Sequence, residues 1–258
     1  MDEKLKAFAR ILKIMDELRE QCPWDRKQTF ETLRPLSIEE VYELSDAILK
    51  ADAQGIKEEI GDILLHIVFY AKIGEEKGEF DIASVINTLC EKLIARHPHI
   101  YGDVKVQNEE EVKQNWEKLK LKEGKGKRTV LGGVPNSLPA LIKAYRIQDK
   151  AAQVKFEWDN IEDVWAKVKE ETAELEEAVA SKQQEKIEEE FGDMLFAMVN
   201  YARYLKVDAE AALERTNLKF MRRFNYIESQ VNERGLEMDK MSLEEMDAIW
   251  DEAKAKGL

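Results

Sequence analysis

One acidic pattern occurs twice in this chain, and the copies keep the same internal spacing. Glu39, Glu40 and Glu43 are followed by Glu59 and Asp62; Glu170, Glu171 and Glu174 are followed by Glu190 and Asp193. Every position is displaced by 131 residues between the copies. The apolar frame repeats with the acids. Glu58-Glu59-Ile60-Gly61-Asp62-Ile63-Leu64 answers Glu189-Glu190-Phe191-Gly192-Asp193-Met194-Leu195, and Trp24-Asp25 answers Trp158-Asp159. Further on, Lys92 and Arg96 match Lys219 and Arg223, and Trp116-Glu117-Lys118 matches Trp250-Asp251-Glu252. A repeat of this length restricts the fold to two copies of one supersecondary unit. The reading is an N-terminal repeat over 1–123, a Gly- and Pro-bearing linker over 124–139, and a C-terminal repeat over 140–258.

Helical periodicity dominates. Val164, Val168, Thr172, Leu175, Ala178 and Val179 form one stripe, and Ile187, Phe191, Met194, Leu195, Met198, Val199 and Ala202 form a second. The break at Ser181-Lys182-Gln183-Gln184 predicts an antiparallel hairpin. The first half repeats it, with its break at Ala51-Asp52-Ala53-Gln54-Gly55. No alternating strand pattern occurs, so the expected fold is all-α: two tandem helical bundles. A hairpin alone cannot bury both faces, so bundles built from several helices or from two subunits are expected. The net charge of −13 disfavours binding to a nucleic-acid polymer. The apolar stretches near 63–73 and 194–202 carry His66, Lys72 and Asn200 and are too short to span a bilayer. Two cysteines form no disulfide framework, and the N-terminus has no signal-peptide pattern. A cytoplasmic protein without a membrane partner is expected.

Residues three apart share a helix face, so each copy places two carboxylate pairs on facing arms of its hairpin. Glu171 falls beside the arc set by Val168 and Leu175, and Asp193 among Phe191, Met194 and Leu195. Four carboxylates at a core edge repel one another unless a cation neutralises them. Oxygen donors suit Mg²⁺, with Mn²⁺ as a substitute. The candidate ligands are Glu171, Glu174, Glu190 and Asp193, and a second candidate set is Glu40, Glu43, Glu59 and Asp62. A solvated acidic face with ordinary salt bridges is the alternative, and a duplicated structural ancestor would copy the acids too. A di-iron bundle needs Glu-x-x-His on two helices, whereas the three histidines (His66, His97 and His99) all lie in the first half.

The second half adds cations. Lys167 and Lys186 each lie four residues before an acid of the quartet, where the first half has Leu36 and Gly55, and Arg222 stands where the first half has Ala95. Such groups suit a polyphosphate, and they equally suit intrahelical salt bridges. Lys219 and Arg223 share a face in the run Lys219-Phe220-Met221-Arg222-Arg223-Phe224. Trp250, in a helical segment Leu243 to Ala255, is a base-stacking candidate or a core tryptophan. Trp24, Trp116, Trp158 and Trp165 are read as packing residues.

With both quartets, the Lys219–Phe224 run and Cys22-Pro23-Trp24-Asp25, the chain resembles the MazG nucleoside triphosphate pyrophosphohydrolases of the all-α NTP pyrophosphatase superfamily. The resemblance spans essentially the full length, in the tandem form. It implies hydrolysis of nucleoside triphosphates, ATP among them, to the monophosphate and pyrophosphate. Water would attack the α-phosphorus with Mg²⁺ on the four acids. Glu171 or Glu174 would position that water or accept its proton. Lys219, Arg222, Arg223 and Trp250 match nucleotide-binding positions, and Lys167, Lys186 and Glu189 join that set. The resemblance also implies a principal active site in the C-terminal repeat, a homodimer, and a role in nucleotide-pool cleansing or stress control. The runner-up is a non-catalytic helical dimer that senses nucleotides or binds a partner. A third reading is a purely structural scaffold.

Overall fold

The computed structural model describes residues 2–106, 108, 111–112, 115–116, 119 and 129–258. The described residues form ten α-helices and no strand, and Cα packing divides the chain into the units Met1–Lys120 and Leu121–Leu258. Residues 124–128 of the expected linker lie outside the described residues; Val130 to Gly132 and the segment up to Pro139 form turns.

In the first unit the helices are α1 (Glu3–Gln21), α2 (Phe30–Leu49), α3 (Ala53–Glu76), α4 (Ile82–Arg96) and the short α5 (Pro98–Tyr101). Side-chain caps set the starts. Thr29 and Thr32 form a reciprocal box at α2, Asp81 and Ser84 another at α4, and the Asp52 carboxylate accepts from the backbone N–H groups of Gln54 and Gly55 at α3. Each cap satisfies donors that the first helical turn leaves open. The α2–α3 hairpin is the unit's main contact, and α1 packs on α3. Met15, Leu33, Val68, Phe69 and Ile73 close the core between these three helices. Arg19 of α1 ties to Glu76 of α3 at 2.9 Å, and the Ser37 and Tyr70 hydroxyls meet at 2.7 Å.

The second unit repeats the plan with α6 (Ala140–Ala152), α7 (Ile161–Ser181), α8 (Gln184–Tyr204), α9 (Ala209–Glu233) and α10 (Leu243–Ala255). Asn160, Asp208 and Ser242 cap α7, α9 and α10 through their side chains. The α7–α8 hairpin is again the main contact, α6 lies on α8, and α9 pairs with α10 around Ile227, Val231 and Ile249.

Much apolar surface stays uncovered. No residue of α4 is buried, although Val85, Ile86, Leu89 and Leu93 recur at helical spacing. Val41, Ile60, Leu64 and Ile67 on the first hairpin are exposed, as are Phe191, Leu195 and Met198 on the second. No described helix is long and apolar enough to cross a membrane.

Candidate metal centre and cavity of the second repeat

The α7–α8 hairpin brings Glu171, Glu174 and Glu190 together, with one oxygen from each within 4.8 Å of the others. Glu171 and Glu174 come from neighbouring turns of α7, and Glu190 comes from the facing arm. Glu171 is 6% exposed, as its place beside Val168 requires, and Lys167 one turn earlier holds it at 2.7 Å. Lys167 also bonds Glu170 at 2.7 Å, and these two bonds raise its pKa above the lysine range. The carboxyl of Glu174 is pushed up from its ordinary value by partial loss of water and then by the charges of Glu171 and Glu190, with Lys167 opposing. A site that crowds carboxylates in this way favours a bound cation.

Asp193, the expected fourth ligand, lies outside this close group and is exposed, but it lines the same cavity as Glu171 and Lys167. Phe191 and Leu195 beside it are exposed rather than packed. The first repeat gathers Glu40, Glu43 and Glu59 in the same way, with Asp62 outside the group. Burial and neighbouring acids raise the pKa of Glu40, and Glu59 is raised too, by loss of water first and then by Glu43 and Glu40. One Glu59 oxygen is buried without any hydrogen-bond partner. His66, one turn after Asp62, is buried, and burial lowers its pKa. The donor set, oxygens only with an orphaned buried carboxylate atom in one copy, fits a hard divalent cation.

The candidate nucleotide-binding residues separate into two places. Lys167 belongs to the acidic cluster. Lys186 and Glu189 on α8 are exposed, and among the described residues no ion pair joins them to the cluster. Lys219, Arg222 and Arg223 lie on α9 and Trp250 on α10. Lys219 and Arg222 are exposed. The Arg223 guanidinium sits 5.4 Å from the Trp250 ring centre and donates to the Leu258 carbonyl at 2.7 Å. Trp250 is half-buried against Phe220, beside the Ile227, Val231 and Ile249 core. The other tryptophans pack less than the sequence suggests: Trp24, Trp158 and Trp165 are exposed, although Trp165 meets Tyr201 at 4.8 Å. Trp116 meets His97 edge-on at 4.8 Å.

A cavity of about 320 Å³ opens beside the acids, between α6, α7 and α8. Glu171, Asp193, Lys167, Trp158, Gln148 and Asn200 are among the residues that line it. Gln148 and Asn200 escaped the sequence reading because a polar residue on an amphipathic helix reads as solvent-facing. The signal lay in the repeat: Ile14-Met15-Asp16 corresponds to Ile147-Gln148-Asp149, and Phe69 corresponds to Asn200.

A tandem all-α chain with an oxygen-donor cluster on each hairpin defines a class that comparison with known proteins makes specific. The family description "MazG nucleotide pyrophosphohydrolase domain" matches residues 28–101 and again 160–227. The "Nucleoside triphosphate pyrophosphohydrolase" of Escherichia coli (strain K12) is 43% identical over 254 residues, covering 95% of this chain and 96% of that protein. The "Nucleoside triphosphate pyrophosphohydrolase/pyrophosphatase MazG" of Thermotoga maritima is 45% identical over 250 residues, covering 96% and 95%. A crystal structure of a mazG-related protein from Thermotoga maritima is 30% identical, covering 44% of this chain and 98% of its own, with a TM-score of 0.40. The chain belongs to the MazG nucleotide pyrophosphohydrolase family, carries its domain twice, and is accordingly an enzyme of the hydrolase class.

Proposed function

We propose that this chain hydrolyses nucleoside triphosphates to the monophosphate and pyrophosphate in a divalent-cation-dependent reaction, with the C-terminal repeat as the principal site. The names of its relatives support the reaction. The observation that carries the site is the convergence of Glu171, Glu174 and Glu190 within 4.8 Å, next to a ligand-sized cavity. Glu171, Glu174, Glu190 and Asp193 would hold the cation, Mg²⁺ with Mn²⁺ as a substitute. A cation held there supplies positive charge against the phosphates and makes water a better nucleophile.

The protein's own groups divide the remaining work. Glu171 is buried and bound to Lys167, whereas Glu174 is exposed and carries a raised proton affinity. That difference supports Glu174, rather than Glu171, as the group that orients the attacking water and takes its proton. Lys167, which already bridges Glu170 and Glu171, can turn its ammonium to a phosphate oxygen when the acids are neutralised. Lys186, Lys219, Arg222 and Arg223 supply further cations for the outer phosphates, and Glu189 and Trp250 complete the nucleotide-binding set. Glu40, Glu43, Glu59 and Asp62 form a second candidate metal site. The uncovered faces of α4 and of both hairpins support a homodimer. A house-cleaning or stress-related role in the cytoplasm follows from the resemblance.

The test is incubation of the pure protein with each NTP and dNTP, with and without Mg²⁺, and separation of the products by anion exchange. Monophosphate plus pyrophosphate that requires the metal is the expected result. Diphosphate plus phosphate would overturn the reaction class, and nucleotide binding without product would leave a sensing module.

A further inference from the structure

We propose that the cavity between α6, α7 and α8 is a base-binding subsite in which Gln148 and Asn200 read the edge of the nucleobase and Trp158 stacks on it. The proposal rests on the second repeat binding a nucleotide at its acidic cluster.

Position comes first. Glu171, Asp193 and Lys167 line the same cavity as the two amides, so a ligand with phosphates at the acids can reach it. At about 320 Å³ it lies at the small end of the ~300–1,000 Å³ usual for small-molecule sites.

Its polar groups are fixed and incomplete. Gln148 is 6% exposed, and its amide nitrogen donates to the Phe196 carbonyl at 2.8 Å. That bond fixes the orientation of the amide, and its oxygen, an acceptor, is buried with no partner. Asn200 is also 6% exposed. Its oxygen accepts from the Arg203 Nε at 3.1 Å, so its NH₂ is the group it can offer a ligand. A buried orphan acceptor costs free energy unless something donates to it. One acceptor and one donor match the adjacent donor and acceptor that every nucleobase carries on its pairing edge. Trp158, exposed, adds an aromatic face.

The first repeat supplies the comparison. There the positions of Gln148 and Asn200 hold Met15 and Phe69, 1% and 2% exposed, packed together with Leu33 and Val68. One scaffold thus carries an apolar core pair in one copy and an amide pair beside a cavity in the other. Each amide makes one bond within the fold, to the Phe196 carbonyl and from Arg203, and the Gln148 oxygen is left without a partner.

Calorimetry with Mg²⁺ tests the subsite on the full chain, using two ligands: an uncleavable α,β-methylene nucleoside triphosphate, and inorganic tripolyphosphate, which has no base. Gln148→Leu is expected to weaken the nucleotide about tenfold and to leave tripolyphosphate unchanged. Trp158→Ala is expected to give the same selective loss, about tenfold or more. Trp158 is exposed, so it decides the matter if Gln148→Leu fails to fold. Equal loss for both ligands, no loss for either, or no binding of the analogue to the unmodified chain would overturn the subsite. The product assay separates the two ideas. Product formation by the unmodified chain, with no nucleotide-selective loss in either variant, removes the subsite alone. Absence of product alongside a nucleotide-selective loss removes the hydrolytic reading alone.

Discussion

Glu174 illustrates what a single residue contributes. It is exposed, so its side chain adds little packing, and its carboxyl is held above its ordinary value by partial loss of water and then by the neighbouring acids. Glu174→Ala should therefore abolish turnover, at least a hundredfold by the usual scale of general-base effects, while circular dichroism stays unchanged. A variant of near-normal activity would remove Glu174 from the mechanism. The raised carboxyls also set a pH dependence. Glu40, Glu59 and Glu174 titrate above 4.5 in the folded chain, so the folded state holds more protons than the unfolded state from about that pH upward. Stability of the metal-free protein should fall as pH rises through this window. Added Mg²⁺ should raise the melting temperature more at pH 7.5 than at pH 4.5, and equal shifts would count against carboxylate binding. The burial of Glu171 was legible from its place beside Val168 and Leu175. The exposure of Asp193 was not, because Phe191 and Leu195 look like core residues in sequence and no other part of the described chain covers them.

The helical hairpin is the element that turns sequence spacing into a site. Its turns are copied with the acids: Ala51 and Lys182, corresponding positions, both adopt left-handed backbone, at φ 53° and 56°. A side chain there costs about 1–2 kcal/mol that glycine avoids. Glycine costs roughly 0.4–1 kcal/mol in the unfolded chain. Lys182→Gly should then stabilise the protein by about 0.5–1 kcal/mol in urea unfolding, and Ala51→Gly likewise. Destabilisation by either would mean that the turn strain lies elsewhere. The sequence break at Ser181-Lys182-Gln183-Gln184 coincides with the end of α7 at Ser181 and the start of α8 at Gln184. The break at Ala51-Asp52-Ala53-Gln54-Gly55 is shorter in the structure, where α3 already begins at Ala53. Gly55 looked like a breaker, but Asp52 caps α3 from three residues earlier and takes the Gly55 N–H, so the glycine lies in the first helical turn.

At the scale of the whole molecule the uncovered apolar faces dominate. Light scattering should report the mass of two chains, and a strictly monomeric protein would remove the dimer. The two quartets invite a paired test. Glu43→Ala should leave most turnover in place, in contrast to Glu174→Ala, because the first repeat has Leu36 in place of Lys167 and buried Met15 and Phe69 in place of the cavity-lining Gln148 and Asn200. Comparable losses from both would assign activity to both repeats. The all-α plan and both acidic clusters were legible because duplication printed the same spacing twice. The cavity was not, because it depends on which side chains fill one layer between three helices, and periodicity records only that the layer exists.

The exchange of Met15 and Phe69 for Gln148 and Asn200 has a consequence for how such a chain evolves. A lone copy would need to keep a filled interior and a hollow, polar one at the same two positions, and natural proteins have little stability to spare. Two copies in one polypeptide lift that conflict. With the base seated as proposed, the first keeps its dense interior while substitutions at the amide pair alter which bases the second accepts.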